Sequence, residues 1–245
     1  MSRRKRSAML RRREFGRIRS ALASSTHFQS LEAADLDRLA ELGRLQRLRH
    51  REHAARSGER DDQLWIILSG AVRVSSQTPG RKEYVYAVLG PGSYFGLATA
   101  VRQAAFTADA HAFGATDLAA FRGPELIATL DQHPRLWRHV SGLLSRRLRL
   151  ALLVLRDNSV APLPERIARS VLGHALSRDL RGLTEVPVRM TQSDLALMLG
   201  ASRSRTNAAL KSLESARLVR AGYRGITILD LPGLRRLAGS GIHAY

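Results

Sequence analysis

The sequence predicts an α+β protein: a small β-sandwich or barrel toward the N-terminus, a long dimerisation helix, and a C-terminal winged helix-turn-helix. Short apolar runs alternate with Gly, Pro and Asp punctuation from about Arg51 to Arg122, the signature of many short strands. An extended helical pattern follows over residues 124–156, with apolar residues at alternating steps of four and three. Residues 190–230 then read as helix, Gly-containing turn, basic helix and basic Gly-rich hairpin.

A chain of 245 residues holds two domains of ordinary size, and 44% hydrophobic residues is a globular composition. No apolar run approaches the roughly 18 residues of a membrane span, and no apolar stretch follows the basic N-terminus, so neither a membrane anchor nor a signal peptide is expected. A cytoplasmic protein without membrane partners is the simplest reading. Cysteine is absent, which excludes disulfides, thiolate zinc sites, cysteine-ligated iron–sulfur clusters and a cysteine nucleophile. The formal net charge of +19 points to a polyanionic partner, and it is unevenly spread. Residues 1–20 hold nine Lys/Arg and one Glu, residues 21–163 hold 18 basic and 14 acidic residues, and residues 164–245 hold 13 and six. The excess sits at the two ends.

This divides the chain into a basic arm (1–20), a β-rich domain (21–123), a long helix (124–157), a hinge (158–164) and a basic C-terminal domain (165–245). The arm reads as a flexible segment or frayed helix, either contacting DNA phosphates or simply solvated. Leu31, Leu36, Leu39, Leu42, Leu45 and Leu48 predict an amphipathic helix over 28–48, with Ser30 as N-cap. Leu64–Ser75 reads as two strands around Gly70. Further strands are expected at Tyr84–Leu89, Thr107–Phe113 and Asp117–Phe121. In the long helix, Leu136, Val140, Leu143, Leu150 and Val154, with Arg147 taking one slot, form a heptad-like seam; Leu144 broadens it. That seam predicts a homodimer; burial against the helix's own domain is the alternative. Asn158–Pro164 breaks the helix.

Met190–Asp230 is the most informative stretch. Thr191 can cap a helix and Asp194, three residues on, can answer it. Leu195, Ala196, Met198 and Leu199 give that helix a buried face. Gly200 stops it in the left-handed conformation, and Ser202 caps a second helix. At about 100° per residue, Ala209, Leu213, Thr206 and Leu210 share one face of this second helix, while Arg203, Ser204, Asn207, Ala208 and Lys211 share the other. Arg can read guanine and Asn adenine in a major groove. Arg205 falls off that face, which suits a phosphate contact or packing. Two short strands around Gly222–Tyr223–Arg224–Gly225 complete a wing. The expected contacts with double-stranded DNA are Thr191, Gln192, Ser202, Arg203, Ser204, Arg205, Asn207, Lys211 and Arg224. A plain helical hairpin is the bland alternative.

With these residues in place the sequence resembles the Crp/Fnr superfamily of bacterial transcription regulators over roughly residues 25–238. Phe28–Leu31 with Asp35–Leu36, Leu64–Val74, Gly90–Gly96, and the run from Thr191 through Glu214 carry the resemblance. It implies a jelly-roll-like, double-stranded β-roll sensor of the cyclic-nucleotide-binding type, a dimer helix, a winged helix-turn-helix on two-fold DNA sites, and RNA polymerase as a further partner. The effector pocket it implies falls on Gly96, Leu97, Ala98, Thr99, Phe106 and Thr107. Relatives that bind cyclic AMP carry Glu where Leu97 stands and Arg where Phe106 stands. Leucine cannot accept a ribose hydrogen bond and phenylalanine cannot neutralise a phosphate, so cyclic AMP dependence is not expected and no cofactor is predicted. An effector-independent dimer with the roll as scaffold, or a sensor of a non-nucleotide ligand, remains open, as does haem through His27, His50, His53 or His111. On the second helix, Ser204 and Ala208 replace a Glu and an Arg common in the family, and Arg203 is retained. No nucleophile motif, metal-ligand spacing or phosphate-cradling Gly loop supports an enzyme or a metal site.

Overall fold

The computed structural model describes residues 3–60, 62–77, 83–102, 104–175, 183–222 and 225–239. Eight strands build the N-terminal domain: β1 (Arg44–Leu48), β2 (His53–Ala55), β3 (Gln63–Ser69), β4 (Val72–Gln77), β5 (Glu83–Leu89), β6 (Tyr94–Phe95), β7 (Asp109–Ala112) and β8 (Thr116–Arg122). They pair antiparallel in two four-stranded sheets, β1-β8-β3-β6 and β2-β7-β4-β5. This interleaved order is the expected roll. The pleat divides each strand between two cores. Trp65 and Ile67 of β3 face the other sheet, with Leu48, Val72, Phe95, Phe106 and Leu118. Leu64 and Ile66 face outward under a layer of helices. Both faces of β3 are covered, which is why its sequence is a continuous apolar run.

The helical layer comprises α1 (Arg3–Ser24), α2 (Ala33–Leu42), α3 (Leu97–Arg102), α4 (Gly123–Gln132) and α5 (Pro134–Val160). Several of these differ from the sequence expectation. The basic arm is a helix whose C-terminal half is part of the domain, so the boundary expected at residue 20 falls inside α1. Phe15, Ile18 and Leu22 share one face, and Ile18 and Leu22 are fully buried. Each such burial stabilises by about 1.5–3 kcal/mol, enough to dock the helix. The helix expected over 28–48 is shorter. Glu32, not Ser30, is its N-cap; it ends at Leu42, and Leu45 and Leu48 belong to β1, which pairs with β8 from Arg44↔Ala120 to Leu48↔Thr116. The helix expected over 124–156 is two helices. His133 leaves helical geometry (φ −131°, ψ 80°) because the ring of Pro134 crowds the residue before it and Pro134 opens the next helix. The hinge shrinks to Ala161 and Pro162, between the end of α5 and the start of the next helix.

The C-terminal domain contains α6 (Leu163–Ala175), β9 (Val186–Val188), α7 (Gln192–Leu199), α8 (Arg203–Ser215), β10 (Val219–Gly222), β11 (Gly225–Ile228) and α9 (Leu231–Ala238). The wing sheet has the order β10-β11-β9, so it gains a strand beyond the expected hairpin. Its core takes in Ala71, Val85 and Val88 of the roll, and the domain is therefore docked on the sheet that carries β4 and β5. Arg169 of α6 reaches Asp157 of α5 at 2.8 Å and donates to the carbonyl of Ala238 at 2.6 Å, tying three helices at the joint.

Candidate nucleic-acid interface and sensor interior

Local chemistry builds the helix-turn-helix as the sequence dictates. Thr191 Oγ1 accepts the Asp194 N–H at 3.1 Å, and Asp194 Oδ2 accepts the Thr191 N–H at 3.2 Å, a complete capping box. Gly200 takes the left-handed conformation (φ 60°, ψ 30°) that ends α7. Ser202 Oγ accepts the Arg205 N–H at 3.3 Å and starts α8. Thr206, Ala209, Leu210 and Leu213 are buried on α8, while Ser202, Arg203, Ser204, Arg205, Asn207, Ala208 and Lys211 are exposed. The exposed face thus carries the donors and acceptors a major groove requires. Arg205 lies near Arg166, whose guanidinium is held below its ordinary value by burial and then by that neighbouring charge. Thr191 and Gln192 are half-exposed at the start of α7. Arg224 lies outside the described residues.

Sequence reasoning missed how this unit is held. Arg73 of β4 donates its Nε–H to Asp194 Oδ1 at 2.6 Å and also pairs with both Glu83 oxygens. Burial opposes the Arg73 charge, but the hydrogen bonds to Glu83 and Asp194 outweigh it and raise its pKa. The same bond holds the Glu83 carboxyl below the usual range. Nearby, the Val88 N–H donates to His174 Nε2 at 3.1 Å, and His174 Nδ1 lies 2.6 Å from the Ser170 carbonyl. The charged Arg73 between Val72 and Val74 was the one available signal.

The six residues expected to form an effector pocket are not gathered on one cavity. Gly96 turns the chain at φ +83°, where a Cβ would sit 2.3 Å from the Gln63 carbonyl oxygen. Leu97 is buried in the outer core with Leu126 and Leu130, on the far side of the sheet from Phe106. Phe106 lies in the roll interior, 5.6 Å from Trp65, which stacks on Phe95 at 5.0 Å and 11°. Ala98 and Thr107 are exposed and Thr99 is half-exposed. A cavity of about 20 Å³ touches Leu97 but not Phe106 and is lined almost wholly by apolar side chains.

The expected seam is also redistributed. Leu136, Val140 and Leu143 are 1%, 7% and 5% exposed, because they pack in the outer core of their own chain. Arg147 folds back, with its guanidinium 4.7 Å over the Tyr94 ring and donating to the Tyr94 carbonyl at 3.1 Å. Leu144, Leu150 and Val154 are half-buried. The large apolar residues of α5 left exposed are Leu148, Leu152, Leu155 and Val160, at 63%, 58%, 66% and 75%.

Residues 165–237 match the Crp-like helix-turn-helix domain, and residues 45–133 match the cyclic nucleotide-binding domain. The chain belongs to the Crp/Fnr superfamily. This Crp/Fnr chain is 27% identical over 183 residues to the CRP-like cAMP-activated global transcriptional regulator of Mycobacterium tuberculosis, covering 74% of this chain and 82% of that relative. It is 27% identical over 227 residues to the nitrogen fixation regulation protein FixK of Bradyrhizobium diazoefficiens, covering 90% and 92%. The crystal structure of a Crp-family transcriptional regulator from Thermus thermophilus superimposes with a TM-score of 0.63 at 25% identity, covering 82% of this chain and all of that one. These relatives are transcription regulators, not enzymes.

The Crp/Fnr roll of this chain does not fit a cyclic nucleotide at the two positions that would hold it. Leu97 has no acceptor for a ribose hydroxyl and is turned into an apolar core. Phe106 has no charge for a phosphate and is packed among aromatic rings.

Proposed function

We propose that this regulator acts as a homodimer on two-fold DNA sites and does not respond to cyclic AMP or cyclic GMP. The observation that carries the second half is the aromatic group of Trp65, Phe95 and Phe106 in the roll interior. A cyclic nucleotide placed there brings a fixed negative charge, which is costly to bury unless a cation meets it. Losing the Glu and Arg contacts removes roughly 3–6 kcal/mol at about 1.5–3 kcal/mol for each charge-assisted bond. A micromolar ligand thereby becomes at best a roughly 100-micromolar one. Calorimetry with both nucleotides tests this. A dissociation constant near one micromolar, or a nucleotide-dependent gain in DNA affinity, overturns it.

Each protomer presents α8 to a major groove, with half-sites about one helical turn apart. The dimer reading is supported by Trp137, Ser141, Leu144, Leu148, Ala151 and Leu155 of α5. They follow the alternating four-and-three spacing of a coiled-coil seam, and Leu148 and Leu155 are open to solvent. RNA polymerase as a partner and a cytoplasmic location belong to the same reading, which is that of a binding protein and not an enzyme. A second reading, the roll as a scaffold with no effector, draws on the same filled interior. DNA affinity that stays tight in purified protein without additions favours it.

A further inference from the structure

Helix α5 carries a further feature on the side away from Leu148 and Leu155. Gly142 stands in the interior of this 27-residue helix. Glycine there costs about 1 kcal/mol relative to alanine. Packing within the chain does not require it, because a Cβ built at this position would meet nothing within 4 Å. Nor does the exposed apolar face require it. At about 100° per residue, Leu144, Leu148 and Leu155 lie roughly 120–160° around the helix from Gly142. The open space over Gly142 belongs to a cleft of about 400 Å³ between α5 and the segment leading into α2, a size that suits a small molecule.

Arg138 and Arg146 stand four residues before and after Gly142, about one helical turn to either side on the same face, and both line the cleft. Both are exposed, and neither has an ion pair or side-chain hydrogen bond among the described residues. Eight residues span about 12 Å of helix, within the combined reach of two arginine side chains, so their guanidinium groups can converge over the glycine. His139 forms part of the wall, its ring 5.7 Å from that of Phe28. Burial holds the His139 imidazole below its ordinary value; a hydrogen bond to the His27 backbone opposes this, and the nearby Arg146 charge adds to it. Ser30 brings a hydroxyl from the segment before α2. The carboxylates of the cleft are already matched. Glu32 and Asp35 both pair with Arg135 near the start of α5, and Asp35 also takes Arg38 at 2.9 Å. The uncommitted charge is therefore positive and sits on either side of the bare helix backbone at Gly142.

Two converging guanidinium forks suit a compact dianion whose oxygens can accept from both. We propose that the cleft over Gly142 binds a small phosphomonoester, with its phosphate held between Arg138 and Arg146. This site is separate from the filled roll interior and from the exposed face of α8, and it stands whether or not the DNA-binding reading does. Calorimetry and thermal melting of the full-length protein test it, with inorganic phosphate, glycerol 3-phosphate and succinate as probes and chloride at equal ionic strength as reference. Wild-type protein should bind glycerol 3-phosphate saturably, once per protomer, and melt higher in phosphate than in chloride. Arg138→Gln with Arg146→Gln should weaken binding by about tenfold or more, the loss expected from two charge-assisted contacts. Melting in chloride should be unchanged, because both side chains are exposed. Gly142→Leu should fill the seat and abolish binding with both arginines in place. Absence of saturable binding by the wild type, or equal binding by wild type and both variants, overturns the site. Loss in the arginine variant alone overturns the seat over the glycine, and tighter binding of succinate than of glycerol 3-phosphate overturns the choice of a phosphomonoester.

Discussion

Arg73 and Asp194 join the two domains through one carboxylate: Oδ1 takes the Arg73 Nε–H at 2.6 Å, and Oδ2 takes the Thr191 N–H at 3.2 Å to cap α7. The first helix of the DNA-binding unit is thus capped and tethered by the same side chain. The tether does not cover the groove-facing side of α8, which is exposed while the domains are docked. It fixes where α8 stands relative to the roll and, in the proposed dimer, would set the spacing offered to two half-sites.

Removing Arg73 should be expensive. Its side chain is 11% exposed and that of Asp194 is 6%. Arg73→Ala leaves a buried carboxylate without its cation, which costs about 3–5 kcal/mol. Urea unfolding should register that loss, and amide exchange at the start of α7 should speed up. A loss below about 1 kcal/mol, the size of an exposed pair, would mean that this ion pair is not what holds the two domains together.

Arg203→Ala should leave the fold unchanged, because Arg203 is exposed on α8. It should weaken binding to a selected site by about 1–3 kcal/mol and relax the preference at one base position. Binding selections with wild type and variant check both; identical preferences would place base reading elsewhere.

The α5 faces give two different outcomes for similar substitutions. Leu148→Glu with Leu155→Glu should yield folded monomers that bind DNA poorly, since both side chains are open to solvent. Leu143→Glu should unfold the roll instead, since that side chain is in the outer core. Sedimentation separates the cases. Wild-type protein that is monomeric at micromolar concentration contradicts the dimer.

His174 makes stability depend on pH. Burial pushes its pKa down from the ordinary value of 6.5 to about 4. As pH falls below about 6.5 the unfolded chain takes up a proton that the folded chain refuses, so stability is lost between about 6.5 and 4. The full loss is about 3 kcal/mol. Above 6.5 both states are neutral and the histidine contributes no slope. Urea midpoints measured from about pH 7 to about 4.5 should fall for the wild type and fall less for His174→Gln. Parallel curves would assign the pH dependence to other groups.

What the sequence determined by itself is the part of the protein built from near neighbours. Thr191, Asp194, Gly200 and Ser202 lie within a dozen positions and settle the helix-turn-helix by capping and by one left-handed turn. The strands around Gly70 were legible for the same reason. The tertiary structure decided everything that turned on a choice between equivalent local patterns. Leu45 and Leu48 suit a helix or a strand, and the free edge of β8 made them a strand. The basic N-terminus could have remained an arm, and a patch on the outer sheet core that accepts Ile18 and Leu22 made half of it a docked helix. Helix α5 is apolar on two adjacent faces about 100° apart, and the roll took Leu136, Val140 and Leu143, leaving Leu148, Leu152 and Leu155 exposed. Arg73 and Asp194 are 121 positions apart. No local rule links them, because their pairing exists only once two separately folded surfaces meet and exclude water from between them.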